Sequence, residues 1–463
     1  MSLSVFFSLI FLGIFTSVFF NGLFRFTAKK YNILIDVPDK SRKFHLIKTP
    51  ITGGLAIQAS IIASSLLMLS FTGVAFNNNI NGIPFLENEV SENKITKNFI
   101  ANDQDYKINL YVESDEKSIA IDIEEVNSPG QKNSLTITPI KNNMYKVTLP
   151  NGEENVYSID DNFVYEVSSK KTDPVIVVNS DNMRINLNNF STGLFVFGFF
   201  VTIFLAVDDI WGIKVKIRLL FQALITFMLI SFSDIYLLDI GNIFGGGNIN
   251  MGVFGIPFTI FCIVGIMNAF NMLDGLNGLC SGMALHSLLI IFLITTFYTP
   301  AYGFLIPIGA IIGFMLYNLG LIGNKRRVFL GDNGSNLMGF LTGWTAIYVS
   351  QGENPIIEPV TALWFVFIPL IDCVTVITSR IINGVMPFRA GRDHLHHRLL
   401  DKGLNPNQIL QIYILFSTIL SFVGYAIQIA FQDAIYLSFY IFLMFTLIYY
   451  VLTKLYLKNV KYI

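Results

Sequence analysis

Apolar residues run along this chain in blocks of about twenty, the length that crosses a bilayer as a helix. The polar residues collect between the blocks rather than inside them. Eleven blocks begin near Leu3, Gly53, Phe190, Val215, Met251, Leu279, Tyr302, Ser335, Ile357, Ile409 and Ala434, and each predicts a membrane helix. Two carry the weakest apolar signal: Lys216 and Arg218 open the Val215 block, and Gly339, Gly343 and Thr345 dilute the Ser335 block. Between the second and third blocks the period changes to two. The runs YKINLYVE, SIAIDIEEV, SLTITPI, MYKVTLP, NFVYEVSS, PVIVVNS and MRINLNN alternate, with Ser-Pro-Gly at 128–130, Asn-Gly at 151–152 and Asp-Pro at 173–174 between them. That pattern reads as a small antiparallel β domain. The expected fold class is an all-α polytopic membrane protein of about eleven transmembrane helices, with the β domain inserted on the outer face. Residues 1–76 hold the first two helices and an inner loop, 77–187 the β-rich insert, and 188–463 the other nine helices.

Composition agrees with a membrane chain. Of 463 residues, 53% are hydrophobic and 14% charged. A soluble domain carries nearer a quarter charged residues, so that class is excluded. The net charge of −1 hides an asymmetry: residues 77–187 hold 18 Asp and Glu against 10 Lys and Arg, and the remainder holds 14 against 21. The acidic insert excludes nucleic acid as a partner. It shows no catalytic cluster and reads as an interaction or packing module with an unknown partner. Residues 2–24 lack a basic start and a small-residue cleavage site, so they read as a retained span. Basic clusters at Arg25–Lys48, Lys214–Arg218, Lys325–Arg327, Arg380–Lys402 and Lys454–Lys461 share one side if the spans number eleven. By the positive-inside rule that side is cytoplasmic. The protein then sits in the inner (plasma) membrane with its N-terminus and insert outside and its C-terminus inside. Cys262, Cys280 and Cys373 lie in apolar blocks and read as unreactive thiols, and His286, mid-block, as a satisfied core histidine.

Four polar stretches at block ends carry the candidate chemistry, all on the inner side. Asp208-Asp209 ends the third block; adjacent carboxylates repel unless a cation or metal compensates, and one of them can serve as a base. The alternative is a solvated helix end. Asn268, Asn271 and Asp274 fall on one helical face, and amide and carboxylate oxygens suit a hard cation; the alternative is hydrogen bonding between helices. Gly331-Asp332-Asn333-Gly334-Ser335 permits close backbone approach at a metal or phosphate, or is an ordinary turn. Phe329, just before it, is a stacking platform for a base or a core residue. Arg392-Asp393-His394-Leu395-His396-His397-Arg398 places three of the five histidines within four residues, and its arginines favour an anion over zinc. His45, in Arg42-Lys43-Phe44-His45, is placed to face phosphate.

In this order the stretches resemble the polyprenyl-phosphate N-acetylhexosamine-1-phosphate transferase family, a glycosyltransferase 4 type. The resemblance rests on Asp36-x-Pro38, Arg42-Lys43-x-His45, Pro50, Gly53-Gly54, Asp208-Asp209 with Arg218 and Gln222, Asn268-x-x-Asn271-x-x-Asp274-Gly, Gly331-Asp332-x-Gly-Ser335, Pro369-x-x-Asp372 and His394-x-His396-His397-Arg398. It implies a Mg2+-dependent phosphotransferase, with Mn2+ as a substitute. A UDP-N-acetylamino sugar gives its sugar-1-phosphate to a polyprenyl phosphate (undecaprenyl phosphate in bacteria) and UMP leaves. By the same resemblance Asp332 and Asn271 hold the metal, and Asp208, Asp209 and Asp274 are catalytic. Asn268, Asn277 and Phe329 bind the donor, with Asn277 and Phe329 at the uracil. His394, His396, His397 and Arg398 grip the sugar-nucleotide phosphates, and Arg42, Lys43, His45 and Arg218 the anionic ends. The chain departs from many relatives in having Asn277 and Gly391 where those have Asp, with Asp393 as a candidate substitute for the latter. Within that family the His-x-His-His-Arg form resembles branches other than the phospho-MurNAc-pentapeptide one, whose histidines run together, and so implies an initiating lipid for O-antigen (lipopolysaccharide), enterobacterial common antigen, teichoic acid or a capsule-like glycan. A homodimer is compatible with the family. The competing readings are a membrane transporter and a non-catalytic scaffold with an outer binding domain.

Overall fold

The computed structural model describes residues 3–37, 48–75, 193–296, 302–351, 355–387, 391–431 and 434–456, together with the strands of the insert. Arg42, Lys43 and His45 lie outside the described residues. The chain separates into two compact units, residues 71–81 with 85–187, and the remainder.

The larger unit is helical. In chain order it comprises α1 (Leu3–Tyr31), α2 (Gly53–Ala75), α3 (Gly198–Trp211), α4 (Val215–Ser233), α5 (Gly255–Leu273), α6 (Leu279–Thr296), α7 (Leu305–Asn318), α8 (Gly331–Gln351), α9 (Pro359–Phe365), α10 (Phe367–Ile382), α11 (Leu395–Asp401), α12 (Pro406–Ala430) and α13 (Tyr436–Tyr456). Every one of the eleven apolar blocks is helical. Among the described residues seven helices are long and apolar enough to cross a membrane, and α9 with α10 makes an eighth candidate, bent by 85° at Val366. The apolar helices over Gly53–Met68 and Leu305–Asn318 are shorter, and α8 has 21 residues but a more polar N-terminal half.

Close helix packing relies on small residues, as expected where lipid offers apolar side chains no reason to leave it. Helices α1 and α7 cross at Gly13, Gly309 and Gly313. A Cβ on Gly13 would lie 2.6 Å from the Ile306 carbonyl, and one on Gly313 the same distance from Ser17 Cβ. The Ser17 hydroxyl donates to the Ala310 carbonyl at 2.6 Å across that contact. Helix α8 is the hub, packed against α3, α5 and α6. Its start therefore lies where several helix ends meet. A two-stranded antiparallel sheet, β1 (Ile35–Asp36) with β2 (Thr49–Pro50), joins the end of α1 to the start of α2.

The smaller unit is an eight-stranded antiparallel meander, β3 (Lys94–Ala101), β4 (Gln104–Val112), β5 (Ile119–Glu125), β6 (Asn133–Lys141), β7 (Met144–Thr148), β8 (Glu154–Asp160), β9 (Phe163–Glu166) and β10 (Ile176–Val177), each strand paired with the next. The register slips between Pro139 and Lys141, as a proline that cannot donate to the ladder allows. Two strands, β3 and β8, arise from segments whose alternation did not announce them. The predicted run MRINLNN lies outside the described residues.

His286 corrects an expectation. It is buried, yet neither ring nitrogen has a hydrogen-bond partner among the described residues. It is a core histidine without the anticipated partner.

Candidate active site

The site is assembled from helix ends. Helix α3 ends because Gly212 takes a left-handed conformation, φ 66°, and its N–H returns to the Asp208 carbonyl at 2.8 Å. Only glycine adopts that geometry without strain. The Asp208 carboxylate accepts the Ile213 N–H at 2.6 Å, holding the turn into α4. Its second oxygen lies 3.5 Å from Arg218, whose guanidinium reaches Asp332 at 2.9 Å. Arg218 is thus the cation that separates two carboxylates from different helices.

Asp209 faces the start of α8. It accepts the backbone N–H groups of Asp332 at 3.0 Å and Asn333 at 3.1 Å, and the Asn333 side-chain amide at 2.5 Å. The first N–H groups of a helix have no partner within it, and a carboxylate there is favoured by the helix dipole as well. Asp209 is therefore an N-terminal cap supplied by another helix. Two of its three donors fall on Oδ2 and one on Oδ1. Gly331, φ 77°, is required beside it: a Cβ there would meet Asp209 Oδ2 at 2.9 Å. Asn333 repeats the device one helix further on. Its Oδ1 accepts the Leu55 N–H at 3.1 Å at the start of α2, and its amide donates to the Ile51 carbonyl at 3.1 Å.

From α5, the Asn271 amide donates to Asp332 at 3.0 Å and to the Ser335 hydroxyl at 2.9 Å. Asn268, one turn deeper and buried, does not join it. Its amide hydrogens go to Gln222 and to the Val264 carbonyl, both at 2.8 Å. Gln222 in turn donates to Asn336 at 2.6 Å, and Asn336 to the Asp332 carbonyl at 2.8 Å. The expected common point of Asn268, Asn271 and Asp274 is thus split. Asn271 lines the site with Asp332, and Asn268 belongs to a buried amide relay beneath it. Asn333 and Asn336 were missed by sequence reasoning. Their signal was there: both are amides in the first turns of α8, a helix expected to be apolar.

Asp274 caps the C-terminus of α5, with its N–H on the Asn271 carbonyl. Desolvation by its neighbours, then the charges of Asp332 and Asp209, pushes its carboxyl up to about 8. The turn beyond it is fixed by Gly278, φ 80°, whose N–H donates to Asn318 at 2.6 Å, while the Asn318 amide donates to the Val328 carbonyl at 2.9 Å. Asn277 and Phe329 are therefore chain neighbours of the two groups that one bridging amide joins. Phe329 is half-buried and pinned by its backbone, its N–H on the Pro50 carbonyl and its own carbonyl accepting from Gly53.

The histidine segment closes on this turn. A Cβ on Gly275 would collide with the ring of His396 and come within 3.1 Å of His397, so the imidazoles lie against the backbone next to Asp274. His396 is fully buried and neither of its ring nitrogens has a partner among the described residues. Burial lowers His396 to about 3 and His397 to about 4, helped by each neighbouring imidazole and, at His397, by Arg392. Both are neutral at physiological pH. His394 turns away to Asp372, its Nδ1 2.8 Å from the carboxylate. Asp393 is clasped by Arg380 through hydrogen bonds of 2.7 and 2.5 Å. It ties the approach to α11 to α10, and its carboxylate lies in the space beside Gly391, where a Cβ would come within 2.6 Å of Asp393 Oδ1. Arg398 follows on α11.

Residues 191–350 match the family model described as glycosyl transferase family 4. The chain is 36% identical over 222 residues to the undecaprenyl-phosphate alpha-N-acetylglucosaminyl 1-phosphate transferase of Escherichia coli strain K12, covering 47% of this chain and 60% of that protein. Proteins of the same name from Yersinia pestis, at 36% over 222 residues, and Haemophilus influenzae, at 33% over 238, are covered to 61% and 66% of their lengths, with 47% and 50% of this chain aligned. The chain thus spans about 60% of the length of the first curated relatives it matches.

Proposed function

From the match of residues 191–350 to the glycosyl transferase family 4 model, we propose that this chain transfers an N-acetylamino-sugar-1-phosphate from a UDP-sugar to undecaprenyl phosphate or a similar polyprenyl phosphate, releasing UMP. The names of the relatives specify N-acetylglucosaminyl 1-phosphate transfer with undecaprenyl phosphate, and the convergence of Asp208, Asp209, Arg218, Asn271 and Asp332 supports the reading. An oxygen of the lipid phosphate forms a bond to the β-phosphorus of the UDP-sugar, and the bond from that phosphorus to the bridging oxygen breaks. UMP leaves with the α-phosphate, and the sugar-bearing diphosphate stays on the lipid.

Phosphoryl transfer asks of a protein mainly positioning and charge compensation. Arg218 brings positive charge to Asp208 and Asp332, whose side chain is 43% exposed. The neutral His396 and His397 lie against Gly275, next to Asp274. The unpartnered nitrogens of His396 await a hydrogen-bonding group, since a buried polar atom left unpaired costs about 1–3 kcal/mol.

The donor set suits Mg2+, with Mn2+ as a substitute. After desolvation, the charges of Asp332 and Asp209 raise Asp274, and a divalent cation offsets carboxylates gathered in this way. Among the described residues no three His, Cys, Asp or Glu side chains gather closely enough to enclose an ion. Magnesium takes one or two protein carboxylates and completes its shell with water and substrate phosphate. Asp332 and Asn271 would hold it, and it would supply charge neutralisation at the diphosphate. We read the chain as crossing the inner membrane eleven times, with this site and the C-terminus cytoplasmic and the β unit outside. The product starts a lipid-linked cell-surface glycan, of which O-antigen is one candidate.

The test is direct. Membranes containing the protein, given UDP-GlcNAc, Mg2+ and undecaprenyl phosphate, should release UMP. No UMP from any common UDP-N-acetylhexosamine would sink the transferase reading and return the transporter and the scaffold.

A further inference from the structure

One buried carboxylate joins three elements and takes no part in the proposed phosphoryl transfer. Asp372, in the first half of α10, is 3% exposed. Its Oδ2 faces His394 Nδ1 at 2.8 Å, and its Oδ1 accepts the Leu395 N–H at 3.1 Å and the Tyr449 hydroxyl of α13 at 2.8 Å. Farther along α10, Arg380 grips Asp393 and also donates to the Pro387 carbonyl at 2.7 Å. The residues entering α11 are thus tied to α10 at two points, and the tie at Asp372 falls where α11 begins. Two apolar helices in lipid do not need such a carboxylate to pack. Burying one is costly unless its lone pairs are all used, and here three donors converge on it. Immediately beyond the tie come His396 and His397, pressed against Gly275.

We propose that Asp372, steadied by Tyr449, is a positioning residue. It sets the tautomer and the placement of His394, and through the start of α11 the distance at which His396 and His397 meet the Asp274–Gly278 turn. The proposal rests on the sugar-1-phosphate transfer reading above. A carboxylate only accepts, so His394 donates from Nδ1. Outer partners that orient a working imidazole in this way matter about 10–100-fold when removed.

The experiment compares wild type, Asp372→Asn and Tyr449→Phe in detergent. Asparagine still accepts from Leu395 and Tyr449, but cannot accept from His394 with a second oxygen. The expected result is a KM for the UDP-sugar raised about tenfold or more in Asp372→Asn, with KM for polyprenyl phosphate unchanged. Tyr449→Phe should shift the same parameter in the same direction by less. An unchanged UDP-sugar KM, or an equal loss for both substrates accompanied by a lower melting temperature, would overturn the proposal. If Asp372→Asn does not fold, the same split is read from Tyr449→Phe. A second readout needs no turnover. His394 and His396 are 4% and 0% exposed, so diethyl pyrocarbonate should spare them in wild type and modify them in Asp372→Asn. Equal protection in both proteins overturns the anchor. A wild type that releases no UMP while showing the protection difference defeats the transferase reading and leaves the anchor standing.

Discussion

Two halves of the site meet at the Asp274–Gly278 turn, and they are held in different ways. The carboxylate half is locked by helix termini. Asp209 of α3 caps α8, Asn333 of α8 caps α2, and Arg218 of α4 bridges Asp208 and Asp332. Moving any one of these groups means moving a long helix. The histidine half is the seven-residue α11 and its approach, tied to α10 at Asp372 and Arg380. The difference is one of anchorage: the floor of the site is held by the ends of long helices, and the histidine flap is a short helix.

The largest expected effect lies in the floor. Asp332→Asn should lower UMP release by about a thousandfold, the upper end for loss of a preorganised charged group, while the protein still elutes as a folded species in detergent. Activity near wild type in that variant would remove Asp332 from the metal and charge roles given to it. Next comes the cap. Asp209→Ala leaves two backbone N–H groups of α8 without their acceptor and should destabilise the protein by about 1–3 kcal/mol, seen as a lower melting temperature. Asp209→Asn, which keeps an acceptor, should recover part of that stability; identical melting for the two variants would show that capping is not what Asp209 does.

A smaller effect belongs to the flap. His396 and His397 are lowered to about 3 and 4 in the folded protein, against about 6.5 in an unfolded chain. Between those values the unfolded chain binds the proton first, so stability is present above about pH 6.5 and declines as pH falls toward 4. Melting at pH 7.5 and pH 5.5 should differ by a few degrees, and His396→Asn should narrow the gap. A gap of the same size in that variant would detach the pH dependence from His396. The smallest effect is expected from deleting residues 80–187, which leaves both halves of the site in the chain. Transfer in vitro should stay within about twofold of wild type. Loss of transfer in a well-folded deletion would give the β unit a part in catalysis.

Much of this was legible beforehand because the constraint behind it is local. A bilayer demands about twenty apolar residues per span, and a half-buried strand demands alternation, so the helices and most strands could be read directly. Strands β3 and β8 hid because KITKNFIA and ENVYSID mix polar residues into both faces. The polar stretches were visible as residues, but their partners were not. Nothing near Asp209 in sequence says that its lone pairs close the start of a helix more than a hundred residues later. Nothing near Asn268 says that it turns inward to Gln222 while Asn271, three residues on, reaches Asp332.

The order of polar motifs, the membrane helices and the alternating insert follow from the amino-acid sequence by itself, because hydropathy and periodicity act over neighbouring residues. Which carboxylate caps, which bridges and which stays exposed was decided only in the tertiary structure. Hydrogen-bond donors at a helix start are satisfied by whatever acceptor the packing of other helices delivers, and that delivery is a property of the assembled fold.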